Sequence, residues 1–234
     1  MNIGPYFAEQ FRILDKAMQG KLDGTKIAGI SDTISNYAIA SAIASAAAAL
    51  LPGGAGVAAA LTQTGIVWAT YVKINKTIGL SMSKETVKFL GHAIATNIIT
   101  QFGVVLAGHV VASIISLIPI AGSALAATAE AAMGYCLIYA AAYVYVKLLS
   151  WVLRPDGSLD IQDKDKTSEI IKKLMDKKEM KGVIDEGRKR YKADLKSGAI
   201  DAAMKKKHCK ECGTEYEDGD HFCSLCGHDH TKDR

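Results

Sequence analysis

From Phe89 to Ala129 the chain contains no Asp, Glu, Lys or Arg, and after a single Glu130 the residues Ala131 to Val146 are again free of formal charge. A helix with a wetted face normally carries charges along that face, so a stretch this long without them must be enclosed on nearly every side, by protein or by lipid. Near its middle lies Ile118-Pro119-Ile120-Ala121-Gly122. Proline lacks the amide donor needed to continue a helix, and glycine permits the left-handed turn that closes one. The stretch is therefore expected to fold as an antiparallel helical hairpin, Ile94 to Ile118 and Ser123 to Leu153. At a rise of about 1.5 Å per residue each arm is at least roughly 35 Å long, against a hydrocarbon core of about 30 Å. Length permits a membrane span without requiring one.

The remaining punctuation comes from proline, because Pro5, Pro52, Pro119 and Pro155 all fall between periodic segments. After Pro5, the residues Phe7, Phe11, Leu14 and Met18 recur at three- and four-residue steps and predict an amphipathic helix closed near Gly20. An Ala-rich helix is expected from Lys26 to Leu51, and another from about Val57 to Ile78 with Gly79 as its cap. Ala-rich helices insert weakly into lipid and pack closely on one another, so this pair is placed against protein. Ser81 or Ser83 is positioned to cap the next helix. Small residues spaced by four, such as Gly103 with Ala107 and Ser123 with Ala127, indicate close helix packing in either solvent.

Charge is unevenly distributed. The net charge is only +4, but most charges follow Arg154, where Lys alternates with Asp and Glu. Three regions result: an apolar helical domain over 1–153, a charged helical stalk or linker over 154–207, and a small terminal domain over 208–230. In the stalk, Thr167 is expected to cap a helix ending at Gly182, with a second helix carrying Ile184, Tyr191 and Leu195. Lys84 and Lys88 precede the apolar hairpin, Lys147 and Arg154 follow it, and its turn has no charge, so an inserted hairpin would leave both ends in the cytoplasm. The first twenty residues lack an apolar run, and the protein is expected on the cytoplasmic side. Within the hairpin, His109 and Glu130 fall at nearly the same height on opposite arms, and a buried carboxylate needs a partner, so they are a candidate buried polar pair.

The terminal region carries the one chemically specific pattern, Cys209-Lys210-Glu211-Cys212-Gly213 and Cys223-Ser224-Leu225-Cys226-Gly227. Each C-x-x-C-G forms a tight knuckle that presents two thiolates along one edge of a tetrahedron, so Cys209, Cys212, Cys223 and Cys226 are the expected ligands of one structural zinc ion. The residues between them suit a short β-hairpin, with Tyr216 and Phe222 expected to cover the site. Four thiolates leave no coordination position for water, which argues against catalysis at this metal. His208, His221, His228 and His230 are read as solvated neighbours and Cys136 as a small core residue. Lys205 to Lys207 form a short basic run, too small to make nucleic-acid binding the leading expectation.

The double C-x-x-C-G and the Phe222-Cys223 pair resemble the short zinc-ribbon family. Leu51 to Leu149 resembles the helical domain of unknown function found after the GTPase domain of some bacterial GTPases and in YcjF-type membrane proteins. That resemblance rests on Leu51-Pro52-Gly53-Gly54, Ile78-Gly79-Leu80-Ser81 and Leu117-Ile118-Pro119-Ile120-Ala121-Gly122-Ser123. It implies an α-helical domain associated with GTPases or membranes. Gly53-Gly54-Ala55-Gly56 lacks a phosphate-reaching lysine, so no GTPase activity is expected of this chain.

The expected fold is all-α, an Ala/Gly-rich helical bundle with a long apolar hairpin and a small C-terminal β-hairpin zinc ribbon. No arrangement of nucleophile and base is legible, which points to binding rather than catalysis. The leading expectation is a non-enzymatic, membrane-associated scaffold or adaptor, attached through residues 89–153, whose zinc ribbon recruits a protein partner. A soluble adaptor or homo-oligomer associated with a GTPase is the alternative. A zinc-ribbon nucleic-acid binder and a pore-forming oligomer rank behind both.

Overall fold

A computed structural model describes residues 4–49, 57–114, 125–154, 158–161 and 163–233. The all-α expectation holds, with one two-stranded hairpin among the described residues, near the C-terminus. Helix α1 spans Pro5–Ala17, α2 Gly24–Ala49, α3 Val57–Ile78, α4 Lys84–Ile114 and α5 Leu125–Val152. The charged region forms α6 Lys164–Leu174, α7 Lys177–Lys196 and α8 Ala199–Met204, and the strands are β1 Lys207–His208 and β2 Glu215–Tyr216.

Helix α1 follows the sequence closely: Phe7, Phe11 and Leu14 are buried, and the chain leaves it through Gly20 at φ 75°. Helix α3 ends on Gly79 at φ 75°, and the Ser83 hydroxyl accepts from the Thr86 amide at 3.1 Å to start α4. That helix is one continuous element from Lys84, ten residues before the expected start of the hairpin arm.

Helix α5 is the axis of the fold, packed by α1, α2, α3, α4, α6 and α7. Its stretch Ala129–Val152 has a mean hydropathy of 1.5 and is long and apolar enough to cross a membrane, yet 89% of that apolar window is buried inside the protein. Neighbouring helices therefore enclose this arm. Polar anchors fix its register: the Tyr71 hydroxyl donates to the Ala141 carbonyl at 2.9 Å and the Tyr145 hydroxyl to Asn75 at 2.7 Å, with the two rings stacked at 3.8 Å. On the α2 side, Gly134 meets Ser41 and Ser45, both of which are bonded to the buried Gln63 of α3.

The charged region is not a solvated stalk. Ile171, Leu174, Met180, Val183, Ile184, Tyr191 and Ile200 are buried in the same core as α5, because the apolar stripes of α6 to α8 need a partner and α5 supplies one. Tyrosines at four-residue spacing on α5 reach acids of α7: Tyr135 donates to Asp194 at 2.7 Å, Tyr139 to Glu186 and Tyr143 to Glu179. Lys147 extends the series with an ion pair to Glu179 at 2.5 Å.

Two expected boundaries shift. Asp163, not Thr167, caps α6, accepting from the amides of Asp165 and Lys166, because its carboxylate bonds two otherwise unpaired amides of the first turn. Gly182 does not end a helix but lies inside α7, where any β-carbon would overlap the ring of Tyr6. Its role is close approach, not capping.

Contacts fix the helix directions. Ser41 and Ser45 meet Gln63, Trp68 lies beside Gly91, and Asn75 bonds Tyr145, so α2 and α4 run one way and α3 and α5 the other. The ends at Ala49, Val57, Ile114 and Leu125 therefore share one end of the bundle. Residues 33–72 and 89–129 contain no formal charge. These segments bring no charge to that end, and Glu130 lies five residues in from Leu125. The expected His109 and Glu130 pair falls outside the described residues, since the His109 side chain is not among them; Glu130 is half-buried on α5.

Candidate metal centre

The two C-x-x-C-G segments fold alike. In the first, the Gly213 amide donates to the Cys209 carbonyl at 2.8 Å and the Cys209 amide to the Thr214 carbonyl at 2.9 Å. In the second, Gly227 donates to Cys223 at 2.9 Å and Cys223 to His228 at 2.8 Å. Gly213 and Gly227 have φ of 70° and 76°, a left-handed conformation that a side chain disfavours, and this is the reason for glycine after each second cysteine. Each knuckle is closed at its base, the first by the β1–β2 pairing of Lys207 with Tyr216 and His208 with Glu215, the second by a bridge between Phe222 and Asp229.

This arrangement brings four sulfur atoms within 4.8 Å of one another. Cys209 and Cys226 lie 3.6 Å apart and Cys212 and Cys223 3.5 Å apart. A zinc–sulfur bond of about 2.3 Å gives a tetrahedral edge of roughly 3.8 Å, close to both separations. A disulfide at about 2.05 Å does not fit them. Cys209, Cys212 and Cys223 are buried and Cys226 half-buried. The Cys209 thiol is pulled down to about 4, chiefly by its hydrogen bond with Cys212 and also by backbone amides, while the same contact pushes Cys212 up. Within this pair one sulfur readily holds negative charge, and a divalent cation is needed to hold all four as thiolates.

Residues 208–229 match the zinc-ribbon domain family. No curated protein and no solved structure matches the chain. The ribbon's four cysteines suit one structural zinc ion, as the spacing led one to expect. The helical resemblance of 51–149 to YcjF-type proteins gains no support, because the family match covers the ribbon.

The histidines stay outside the sulfur cluster. His221 is exposed; His208 is half-buried, lies 3.2 Å from the Lys206 carbonyl, and has its pKa lowered by that burial. His230 is buried rather than solvated, stacked on Tyr216 at 3.7 Å. Phe222 does not cover the site but is 63% exposed. The cover comes instead from the helical bundle. A β-carbon on Gly213 would lie 3.0 Å from Ile66 and 3.3 Å from Ala40, and one on Gly65 would overlap the Glu211 carbonyl oxygen. Tyr37 of α2 bonds Thr214 at 3.0 Å, and the Thr214 hydroxyl lies 3.2 Å from the Cys212 sulfur. Burial raises the Tyr37 phenol far above its ordinary pKa, so it remains a neutral hydrogen-bonding group.

Neither Tyr37 nor Gly65 is legible as part of the centre from sequence, since 177 positions separate Tyr37 from its partner. The alanine-rich composition of α2 and α3 is the available signal. It indicated close packing without saying on what.

Proposed function

We propose that the protein is a non-enzymatic helical scaffold that sits at a membrane by the uncharged end of its bundle and presents its zinc ribbon to a protein partner. The observation that carries this reading is the gathering at one end of two helix pairs, α2 with α3 and α4 with α5, whose segments 33–72 and 89–129 carry no formal charge. Soluble bundles usually wet such an end with charges, and lipid removes that need. Attachment by this end differs from a full span by the 89–153 hairpin, since α5 is surrounded by other helices. The exposed ring of Phe222 offers an apolar anchor on the outer face of the ribbon. Nucleic acid suits the surface less well, because Lys206 pairs with Glu215 and Lys207 with Asp218.

The enclosure of α5 favours a second reading, a soluble adaptor in which protein alone buries the apolar helices. Fractionation of the untagged protein separates the two. Retention in the membrane pellet through high salt and alkaline carbonate is expected for lipid attachment. Release as a monodisperse soluble species overturns it and leaves the soluble adaptor.

A further inference from the structure

Between α3, the start of α4 and the second knuckle of the ribbon lies a cavity of about 590 Å³, within the size range of small-molecule sites. Trp68 walls it and is 92% buried, since its exposure is 8%. Its indole N–H is buried without an acceptor. Two cations converge on the same ring: the Lys84 ammonium is 5.7 Å from its centroid and the Lys88 ammonium 5.8 Å. Among the described residues neither lysine has a carboxylate partner. Helical spacing of four places them on one face of α4.

Two ammonium groups from one face of α4 thus meet at one cavity, with an aromatic wall beneath them. We propose that this cavity binds a phosphate monoester carrying an apolar stem, its oxygens taken by Lys84 and Lys88 and its stem laid along the indole. A dianionic phosphate balances the two ammonium charges, whereas a carboxylate balances one. Glu211 on the ribbon side of the cavity opposes an anion, which sets the bound phosphate toward the α4 side. The phosphate belongs either to a free ester or to a phospholipid headgroup, and the recognising groups are the same.

Trp68 reports its own occupancy once Trp151, 66% exposed, is replaced. The full chain carrying Trp151→Phe is titrated with phenyl phosphate and, separately, with phosphatidic acid vesicles, using phosphatidylcholine vesicles as the reference. A saturable change in tryptophan emission is expected with one or both phosphate probes and not with phosphatidylcholine. Response to phenyl phosphate assigns a free ester, and response to phosphatidic acid alone assigns the headgroup. Lys84→Gln with Lys88→Gln should weaken the apparent affinity at least about tenfold. Both lysines are exposed, so the variant is expected to keep its helicity and zinc content, which circular dichroism and metal analysis check. No saturable change with either phosphate probe overturns the proposal. So does a response equal in the double variant.

Discussion

Docking of the ribbon on the bundle is tested most sharply by Gly65→Ala. The substitution adds one methyl group on α3, and in an open helix interior it would stabilise by about 1 kcal/mol. Here the new β-carbon overlaps the Glu211 carbonyl oxygen and lies 3.1 Å from the carbonyl carbon. A backbone carbonyl cannot swing aside as a flexible side chain does, so the ribbon must withdraw by more than about 1 Å. Overpacking of this kind costs about 1–3 kcal/mol. Withdrawal also lengthens the Tyr37 to Thr214 hydrogen bond, now 3.0 Å and worth about 1 kcal/mol. After the propensity gain, a net loss of about 1–3 kcal/mol remains, a fall in Tm of roughly 2–12 °C for a chain of this size. Gly91→Ala on α4 is the control, since its β-carbon meets Trp68 and Val67 at 3.6–3.7 Å, ordinary contact. It should leave Tm unchanged or raise it. Hydrogen exchange should show faster amides at 209–214 in Gly65→Ala, with one zinc still bound. A Tm at or above the unsubstituted protein, with ribbon protection unaltered, would refute the docking argument.

Metal removal by a strong chelator should free the amides of 208–230 to exchange while far-UV circular dichroism keeps most of its helical signal, because the helices pack on one another around α5; global loss of helix would contradict this. Cys226→Ser should reduce bound zinc below one equivalent by metal analysis, whereas His221→Ala and His228→Ala should retain it. Lys147→Met removes the partner of Glu179 at a site where the lysine is 15% and the acid 24% exposed, and should cost about 1–3 kcal/mol in urea denaturation, with adding Glu179→Gln recovering part of the loss. Gly134→Ala should destabilise by about 1–3 kcal/mol, since its β-carbon would overlap the Ser45 hydroxyl and come within 2.7 Å of the Ser41 carbonyl.

The sequence by itself determined the helices and the metal ligands, because both are written in local spacing. Three- and four-residue periodicity located α1, the charge-free runs located the interior helices, and glycine after each C-x-x-C fixed the two knuckles with no reference to distant residues. Only the tertiary structure decided what encloses the apolar arm that includes α5 and what covers the zinc site. An uncharged helix reads the same whether lipid or six neighbouring helices surround it, since both remove it from water equally well. Likewise the charges of α6 to α8 suggested a stalk because composition records a dense polar face more plainly than the narrow stripe opposite. The acids Glu179, Glu186 and Asp194 then find tyrosines on α5 that no sequence spacing pairs with them. Gly65 and Tyr37 became part of the metal centre for the same reason. Their contacts to Glu211 and Thr214 exist only after the chain has folded the ribbon back across more than 140 residues, onto a surface where Gly65 and Ala40 allow its backbone to approach.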